Sequence, residues 1–545
     1  MKNPTSRRAF LKASTLAAGA GLAAPLWRSR LVAAATTAPT TAPAKPQIPP
    51  GPFAADRKSL AAYAMPDWFH DAKFGIFAHW GPQSAAEYGD WYARRMYIEG
   101  EAQYNHHLQH YGHPSKTGFA DVIKSWKADK FDAEYLLGLY KKAGAKYFVS
   151  MGVHHDNFDL WNSKYQPRWN SVASGPQMDI VGLFRKAADK LGLRFGVSEH
   201  LSNSFCWYGP AHSADKNGAL KGVPYDGNDP QYAGLYHDYT QMPADFVQKV
   251  VNAPAKGAIA MSTDGPASWR ANYFDRILDL VTQYEPDLLY TDGGIPFGDD
   301  GLALLAHLYN TSSRRHGGKV EAVYTSKSRN DSTSGMCVLD VERGLVDSIW
   351  PRAWQTDTCV GNWHYDTRAR YRTPKYIIDM LVDIVSRNGN LLLNFPLPNN
   401  GMLDDKEMAI VQAITAWMAV NSEAIHSTRP WKIFGAGPGS QIKAAPGQQF
   451  NENTRQDFTA AEVRFTTKGD TLYAFFMGWP EKEIVIAPLS TDSKNVVGKI
   501  QTVELLGHTG KLQWTHDAKG LKAQLPAEKP CEYGYALKIT GLATA

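Results

Sequence analysis

Between residues 73 and 394 the chain alternates short apolar or β-branched runs with stretches whose apolar residues recur at three- and four-residue spacing. The runs are Lys73 to Ala78, Tyr147 to Met151, Arg194 to Ser198, Leu288 to Thr291, Ala322 to Thr325, Val338 to Val341 and Leu391 to Asn394. Short runs of this kind predict strands buried on both faces, as in parallel sheets. Phe131 to Ala143 and Ile180 to Leu191 predict helices between them. Tyr273, Phe274, Ile277, Leu278, Val281 and Tyr284 mark the helix that feeds the strand Leu288 to Thr291. Repeated βα units over so long a span predict a TIM-like (β/α)8 barrel rather than an open doubly wound sheet. No Gly-rich dinucleotide fingerprint follows any of the strands, which weighs against the Rossmann alternative.

The alternation breaks twice. Residues 212 to 262, rich in Gly, Asp, Tyr and Ala, read as a long insertion between the third and fourth strands, where binding loops grow. From residue 431 to 545, Thr471 to Gly478, Glu483 to Ala487 and Val503 to Gly507 predict a C-terminal antiparallel β-sandwich, leaving 56 to 430 to the barrel. Ahead of it, Ser6-Arg7-Arg8-Ala9-Phe10-Leu11-Lys12, the weakly apolar stretch Ala13 to Leu26 and the small residues Val32 to Ala35 resemble a twin-arginine export signal over residues 1 to 35. That predicts a periplasmic or secreted protein, with residues 36 to 55 as a Pro/Thr/Ala-rich linker. The leader is too short and mild to span a membrane. Four cysteines, Cys206, Cys337, Cys359 and Cys531, show no CxxC spacing and read as free thiols.

A formal charge of +5 over 545 residues, with no dense basic run past the leader, gives a nucleic-acid partner no electrostatic support. The position of the polar residues says more: the predicted strands end on them. His79-Trp80-Gly81 and Asp90-Trp91-Tyr92 follow the first strand, His154-His155-Asp156 the second, Glu199-His200 the third, Asp292-Gly293-Gly294 the fourth, and Glu342-Arg343 the run Val338 to Val341. In a barrel such residues meet on one rim, the rim that carries catalysis. Two chemistries could use them. Histidines His79, His154 and His155 with Asp292 could hold a metal that activates water, although adjacent His154 and His155 on extended backbone point to opposite sides. Alternatively, two carboxylates flank a glycosidic bond while histidines and aromatic rings hold a sugar.

Phe74 to Gly81, Asp90 to Tyr97, His154-His155-Asp156, Tyr290 to Gly293, Ser386 to Asn394 and Asn421 to Trp431 resemble, in order, the motifs of the exo-acting α-L-fucosidases of glycoside hydrolase family 29. The resemblance covers about residues 65 to 431, and Val503 to Gly507 is similar to the family's C-terminal β-domain. It implies a retaining mechanism on a TIM-like barrel with no metal and no cofactor, acting on terminal α-L-fucose of an oligosaccharide or glycoconjugate. Asp292 matches the family's nucleophile, and Glu342 is expected to be its acid/base. His79, Trp91, Tyr92, His154 and His155 match sugar-binding positions. Tyr290, just before the nucleophile, and Trp354, twelve residues after Glu342, join that set, as does Asp90, where the family commonly has Glu. The chain also has Val153 where the family commonly has Lys, and Asn157 where it has Gly. Lys327 is the candidate for an Arg that lines some family sites. The competing readings are a sugar-binding barrel without catalysis and a metal-dependent barrel hydrolase.

Overall fold

The structure, a computed structural model, describes residues 48–441, 448–452 and 457–544. The export leader and most of the linker lie outside the described residues. Eight strands form one sheet: β1 (Phe74–Ala78), β2 (Tyr147–Val153), β3 (Arg194–Glu199), β4 (Leu288–Thr291), β5 (Val323–Ser326), β6 (Val338–Leu339), β7 (Trp354–Cys359) and β8 (Gly389–Asn394). They neighbour one another in the order β6-β5-β4-β3-β2-β1-β8-β7, all in parallel. A parallel bridge between Asp340 and Gln355 joins the two ends and closes the barrel.

The intervening helices include Ala133–Lys142, Ile180–Leu191, Ala267–Tyr284, Asp299–Arg315 and Pro374–Ser386. Local chemistry fixes their ends. Asp179 caps Ile180–Leu191 by accepting from the Gly182 N–H, and Gly192 ends that helix with φ of 65°, the left-handed turn that a glycine makes without steric cost.

Seven of the eight strands fall on predicted runs. The seventh, β7, was not foreseen because Trp-Gln-Thr-Asp-Thr-Cys is neither an apolar run nor an apolar/polar alternation. All six residues are nevertheless buried. The polar side chains are tolerated because their partners are also inside the barrel. Gln355 Oε1 accepts from the Tyr147 hydroxyl at 2.9 Å, Gln355 Nε2 donates to Asp340 Oδ1 at 2.8 Å, and Asp357 Oδ2 accepts from the Tyr290 hydroxyl at 2.9 Å. A buried polar group costs little once it is hydrogen-bonded.

The C-terminal strands are β9 (Arg429–Ala436), β10 (Val463–Lys468), β11 (Thr471–Phe476), β12 (Glu483–Ile486), β13 (Gly498–Leu505), β14 (Trp514–Asp517), β15 (Gly520–Gln524) and β16 (Tyr535–Leu542). They make two antiparallel sheets, β13-β16-β11-β10-β9 and β12-β15-β14. Leu472, Ala474, Phe476, Leu537 and Ile539 face Ile484, Ile486, Leu521 and Ala523 in a core of their own. The alternate residues Tyr473, Phe475 and Ala536 belong instead to the barrel's core, so the larger sheet is covered on both faces. At this junction Arg464 of β10 pairs with Asp383 of the helix Pro374–Ser386, both buried, and Trp417 Nε1 donates to the Gly534 carbonyl at 2.7 Å. The four cysteines are free thiols. Among the described residues no helix is long and apolar enough to cross a membrane.

Gly75 of β1 leaves room for the Tyr147 ring, whose hydroxyl reaches across the barrel to Gln355; a methyl group at Gly75 would overlap that ring. Gly75→Ala is therefore expected to lower stability by about 1 to 3 kcal/mol, the usual cost of overpacking a filled core, as measured by urea unfolding. Unchanged stability would mean that the ring can leave the barrel axis without loss.

Candidate active site

The C-terminal ends of the strands deliver their side chains into one cavity of about 480 Å³. Its wall takes His79 from the end of β1, His154 and His155 from β2, His200 from β3, Asp292 from β4, Lys327 from β5, Glu342 from beyond β6, and Trp363 and His364 from beyond β7. β8 acts indirectly, since Asn394 Oδ1 accepts from both the backbone N–H and Nδ1 of His79, at 2.7 and 3.2 Å. The insertion between β3 and β4 closes one side with Lys256, Gly257, Ala258 and Met261.

Three neighbouring strands supply the charged centre. Asp292 continues β4, its N–H donating to the Glu199 carbonyl at 3.1 Å, and the Lys327 N–H after β5 donates to the Gly293 carbonyl at 2.8 Å. The Lys327 ammonium then lies between two acids, touching Asp292 Oδ1 on one side and Glu342 Oε2 on the other. The two carboxylates therefore face each other across a single cation. Their titrations diverge. Burial alone would raise the Asp292 carboxyl, but Lys327, His200 and the hydrogen bond from His155 outweigh it and hold Asp292 well below the usual carboxylate range. Burial lifts Glu342 to about 7 against the pull of Lys327, helped by the negative charges of Asp357 and Asp292. At neutral pH one acid is ionised and its neighbour is poised to carry a proton.

The histidines differ in what they can offer. His79 Nδ1 and His155 Nδ1 donate to oxygens of Asn394 and His200, at 3.2 and 2.6 Å. His154 Nδ1 accepts from Gln83 Nε2 at 2.9 Å, which leaves its Nε2 as the N–H donor toward the cavity. His155 Nε2 and His200 Nδ1 stand 3.3 and 3.1 Å from Asp292 Oδ2. Apart from that contact of Nδ1 with Asp292, neither ring nitrogen of His200 has a hydrogen-bond partner among the described residues. Burial keeps His79 and His154 neutral and lowers His200 to about 4. Such a ring of neutral donors and acceptors suits the hydroxyls of a sugar. Two trios, His79 with His154 and His200, and His155 with His200 and Asp292, each bring ligand atoms within 4.8 Å and could converge on a cation. The Gln83 bond to His154 opposes the first trio, because a histidine that ligates through Nε2 ordinarily donates from Nδ1.

A family model described as "Alpha-L-fucosidase" matches residues 40–423, and one described as "Alpha-L-fucosidase C-terminal domain" matches residues 455–540. The chain belongs to the α-L-fucosidase family. It is a member of glycoside hydrolase family 29. It is 27% identical over 512 residues to the tissue alpha-L-fucosidase of Homo sapiens, covering 91% of this chain and 93% of that protein. It is 26% identical to the human plasma alpha-L-fucosidase, over 89% of this chain and 92% of that one. Its fold matches the crystal structure of Thermotoga maritima alpha-fucosidase with a TM-score of 0.66 at 23% identity, over 90% of this chain and all of the other.

Placed on the fold, most of the residues matched to the family's motifs converge. His79, Asp90, Trp91, His154, His155, Tyr290, Asp292 and Glu342 all line the cavity. Asp90 is tied down, its Oδ1 accepting from the His364 N–H at 2.7 Å. Asn157, where the family commonly has Gly, has φ of 60°, a left-handed conformation that Asn adopts more readily than most residues. Val153 is fully buried in β2. Two expectations are corrected. Tyr92 lies behind Trp91, fully buried, with its hydroxyl hydrogen-bonded to Nδ1 of His106 and His107 at 3.1 and 3.2 Å. Trp354 begins β7 and so sits at the opposite end of the barrel from the site, donating from Nε1 to the Arg387 carbonyl at 3.0 Å. Three residues further along that strand, Asp357 is the one that reaches the cavity.

His200, Asp357, Trp363, His364, Gln449 and Phe450 also line the cavity and were not among the expected site residues. The strand-end pattern that singled out His155 applies equally to His200. Trp363 and His364 escaped because the strand before them did, and Gln449 and Phe450 come from a different part of the chain.

Lys327→Met would leave two largely buried carboxylates, each side chain 14% exposed, facing each other without their shared cation. A loss of about 3 to 5 kcal/mol is expected at pH 7.5. Both carboxyls would then titrate above their unfolded values, so stability is lost as pH rises through those raised values and is regained below the unfolded ones. Denaturant unfolding at pH 7.5 and 4.5 checks the sign: the gap to the wild type should narrow at the lower pH. A gap that widens there would show that Lys327 does not bridge the pair.

Proposed function

We propose that this chain is a retaining exo-α-L-fucosidase that removes terminal α-L-fucose from glycans or glycoconjugates through a covalent glycosyl-enzyme. The observation that carries the reading is the unequal carboxylate pair on Lys327, with Asp292 held well below the usual carboxylate range and Glu342 raised to about 7. Two acids close enough to share one cation support retention, for which carboxyl groups about 5 to 5.5 Å apart are typical; inversion needs about 6.5 Å or more to admit water. Asp292 attacks the anomeric carbon while Glu342 protonates the leaving oxygen, and Glu342 then deprotonates the water that releases fucose. In the first step negative charge disappears from Asp292 as it appears on Glu342. Because Lys327 touches both, the charge stays beside the same cation throughout.

The histidine ring, with Trp91 and Trp363, supports recognition of hydroxyls and of an apolar sugar face. A single cavity of about 480 Å³ at one end of a barrel accommodates a terminal residue, which favours exo action. Presence of both acids weighs against a barrel that binds sugar without catalysis. The leader sequence supports export.

Turnover of an aryl α-L-fucoside tests the roles. Asp292→Gly should abolish it, with azide restoring a β-fucosyl azide. Glu342→Ala should lose about 10² to 10⁴-fold on substrates with poor leaving groups and much less on activated ones, with azide giving the α-product. NMR of the first-formed sugar should show α-L-fucose, whereas β-L-fucose would sink the retaining assignment. On the alkaline side kcat/KM should fall as Glu342 loses its proton, near pH 7, and the acid limb should lie well below pH 4. Loss of activity on adding a chelator would instead favour a metal-dependent reaction.

A further inference from the structure

The barrel does not hold the acid by itself. Residues 448–452, which follow β9 in the C-terminal part of the chain, run along the Glu342 loop. The backbone N–H of Glu342 donates to Gln449 Oε1, and Gln449 Nε2 donates to the Asp340 carbonyl at 3.3 Å. In return the Phe450 N–H donates to the Glu342 carbonyl at 2.8 Å and the Glu452 N–H to the Arg343 carbonyl at 2.9 Å. Leu345 N–H donates to Asn451 Oδ1 at 2.8 Å, and Asn451 Nδ2 donates to the Leu345 carbonyl at 2.9 Å. Six backbone groups, on Asp340, Glu342, Arg343 and Leu345, are thus held by one distant segment.

That segment is anchored. The buried Glu452 carboxylate accepts from Arg343 Nε, from both terminal nitrogens of Arg372 and from Thr358 Oγ1 at 2.7 Å, so it is fixed to the loop and to β7 together. Burial would raise the Glu452 carboxyl, but Arg372 and Arg343 hold it below its usual value. Gly344 permits the close approach: a Cβ there would lie 2.8 Å from the Gln448 carbonyl oxygen. Gln449 and Phe450 also form part of the cavity wall, where Phe450 as a whole is 59% exposed.

We infer that Gln449 is a positioning residue for the acid/base, and that the segment Gln449 to Glu452 makes proton donation by Glu342 depend on the C-terminal part of the chain. The inference rests on the fucosidase reading above. Asp292 and Lys327, carried by β4 and β5, make no hydrogen bond to this segment among the described residues, so its loss should impair the acid and spare the nucleophile.

The test compares Gln449→Ala and Gln449→Glu with the full-length wild type on two substrates: a 2-chloro-4-nitrophenyl α-L-fucoside, whose leaving group needs little protonation, and a fucosyl disaccharide, whose leaving group needs much. Gln449→Ala should lose about tenfold or more in kcat/KM on the disaccharide and less than about threefold on the aryl fucoside, since general-acid help matters only where the leaving group is poor. Its alkaline limb should move to lower pH as water reaches Glu342. Gln449→Glu keeps the acceptor oxygen and adds a negative charge beside the acid, so its alkaline limb should move to higher pH. Thermal unfolding of both variants separates a folding defect from misplacement of the acid. Equal losses on the two substrates, or an alkaline limb unmoved in both variants, would overturn the inference. If Glu342→Ala itself shows no leaving-group dependence, or the wild type does not cleave the fucosides, the underlying reading fails instead.

Discussion

One largely enclosed ammonium sets the electrostatics of this site. Two facing carboxylates, walled in by histidines, would repel and share a proton without preference if nothing stood between them. Lys327 removes the repulsion and at the same time leaves room for a difference. Asp292 has further donors in His155 and His200 and stays ionised. Glu342 has fewer polar neighbours, looks toward other acids, and rises to about 7. The same cation serves both, and what surrounds each acid sets them apart.

The barrel makes that arrangement possible by bringing adjacent strand ends to adjacent places. Asp292, Lys327 and Glu342 follow β4, β5 and β6, so the spacing between strands sets the spacing between charges. The closure that fixes those strands is thinnest between β6 and β7, where a two-residue strand meets its neighbour by a single bridge. Polar residues inside the barrel reinforce it: Gln355 joins Asp340 to Tyr147, and Asp357 takes the Tyr290 hydroxyl. The interior of this barrel therefore carries a hydrogen-bonded network beneath the site, and the residues that floor the cavity belong to the same network.

The C-terminal sheets belong to the same assembly. Their larger sheet buries one face in its own sandwich and the other against barrel helices, with the Arg464–Asp383 pair at the junction. Residues 448–452, from the same part of the chain, reach the loop that carries Glu342. A module that looks peripheral in the linear order thus hydrogen-bonds the backbone of Glu342 itself.

The sequence by itself determined the βα alternation, the C-terminal antiparallel strands and the strand ends that carry His79, His154, His155, Asp292 and Glu342, because each is written in a local period or a local motif. It hid β7, because a strand whose polar residues find partners across a barrel has no apolar signature. It drew in Trp354, near Glu342 in number but at the far end of its strand, and Tyr92, one residue from Trp91 but turned into a second layer. Only the tertiary structure placed Lys327 between the two acids and brought Gln449, 449 − 342 = 107 positions downstream, against Glu342. Charge sharing and long-range hydrogen bonds depend on distance in space, which separation along the chain does not encode.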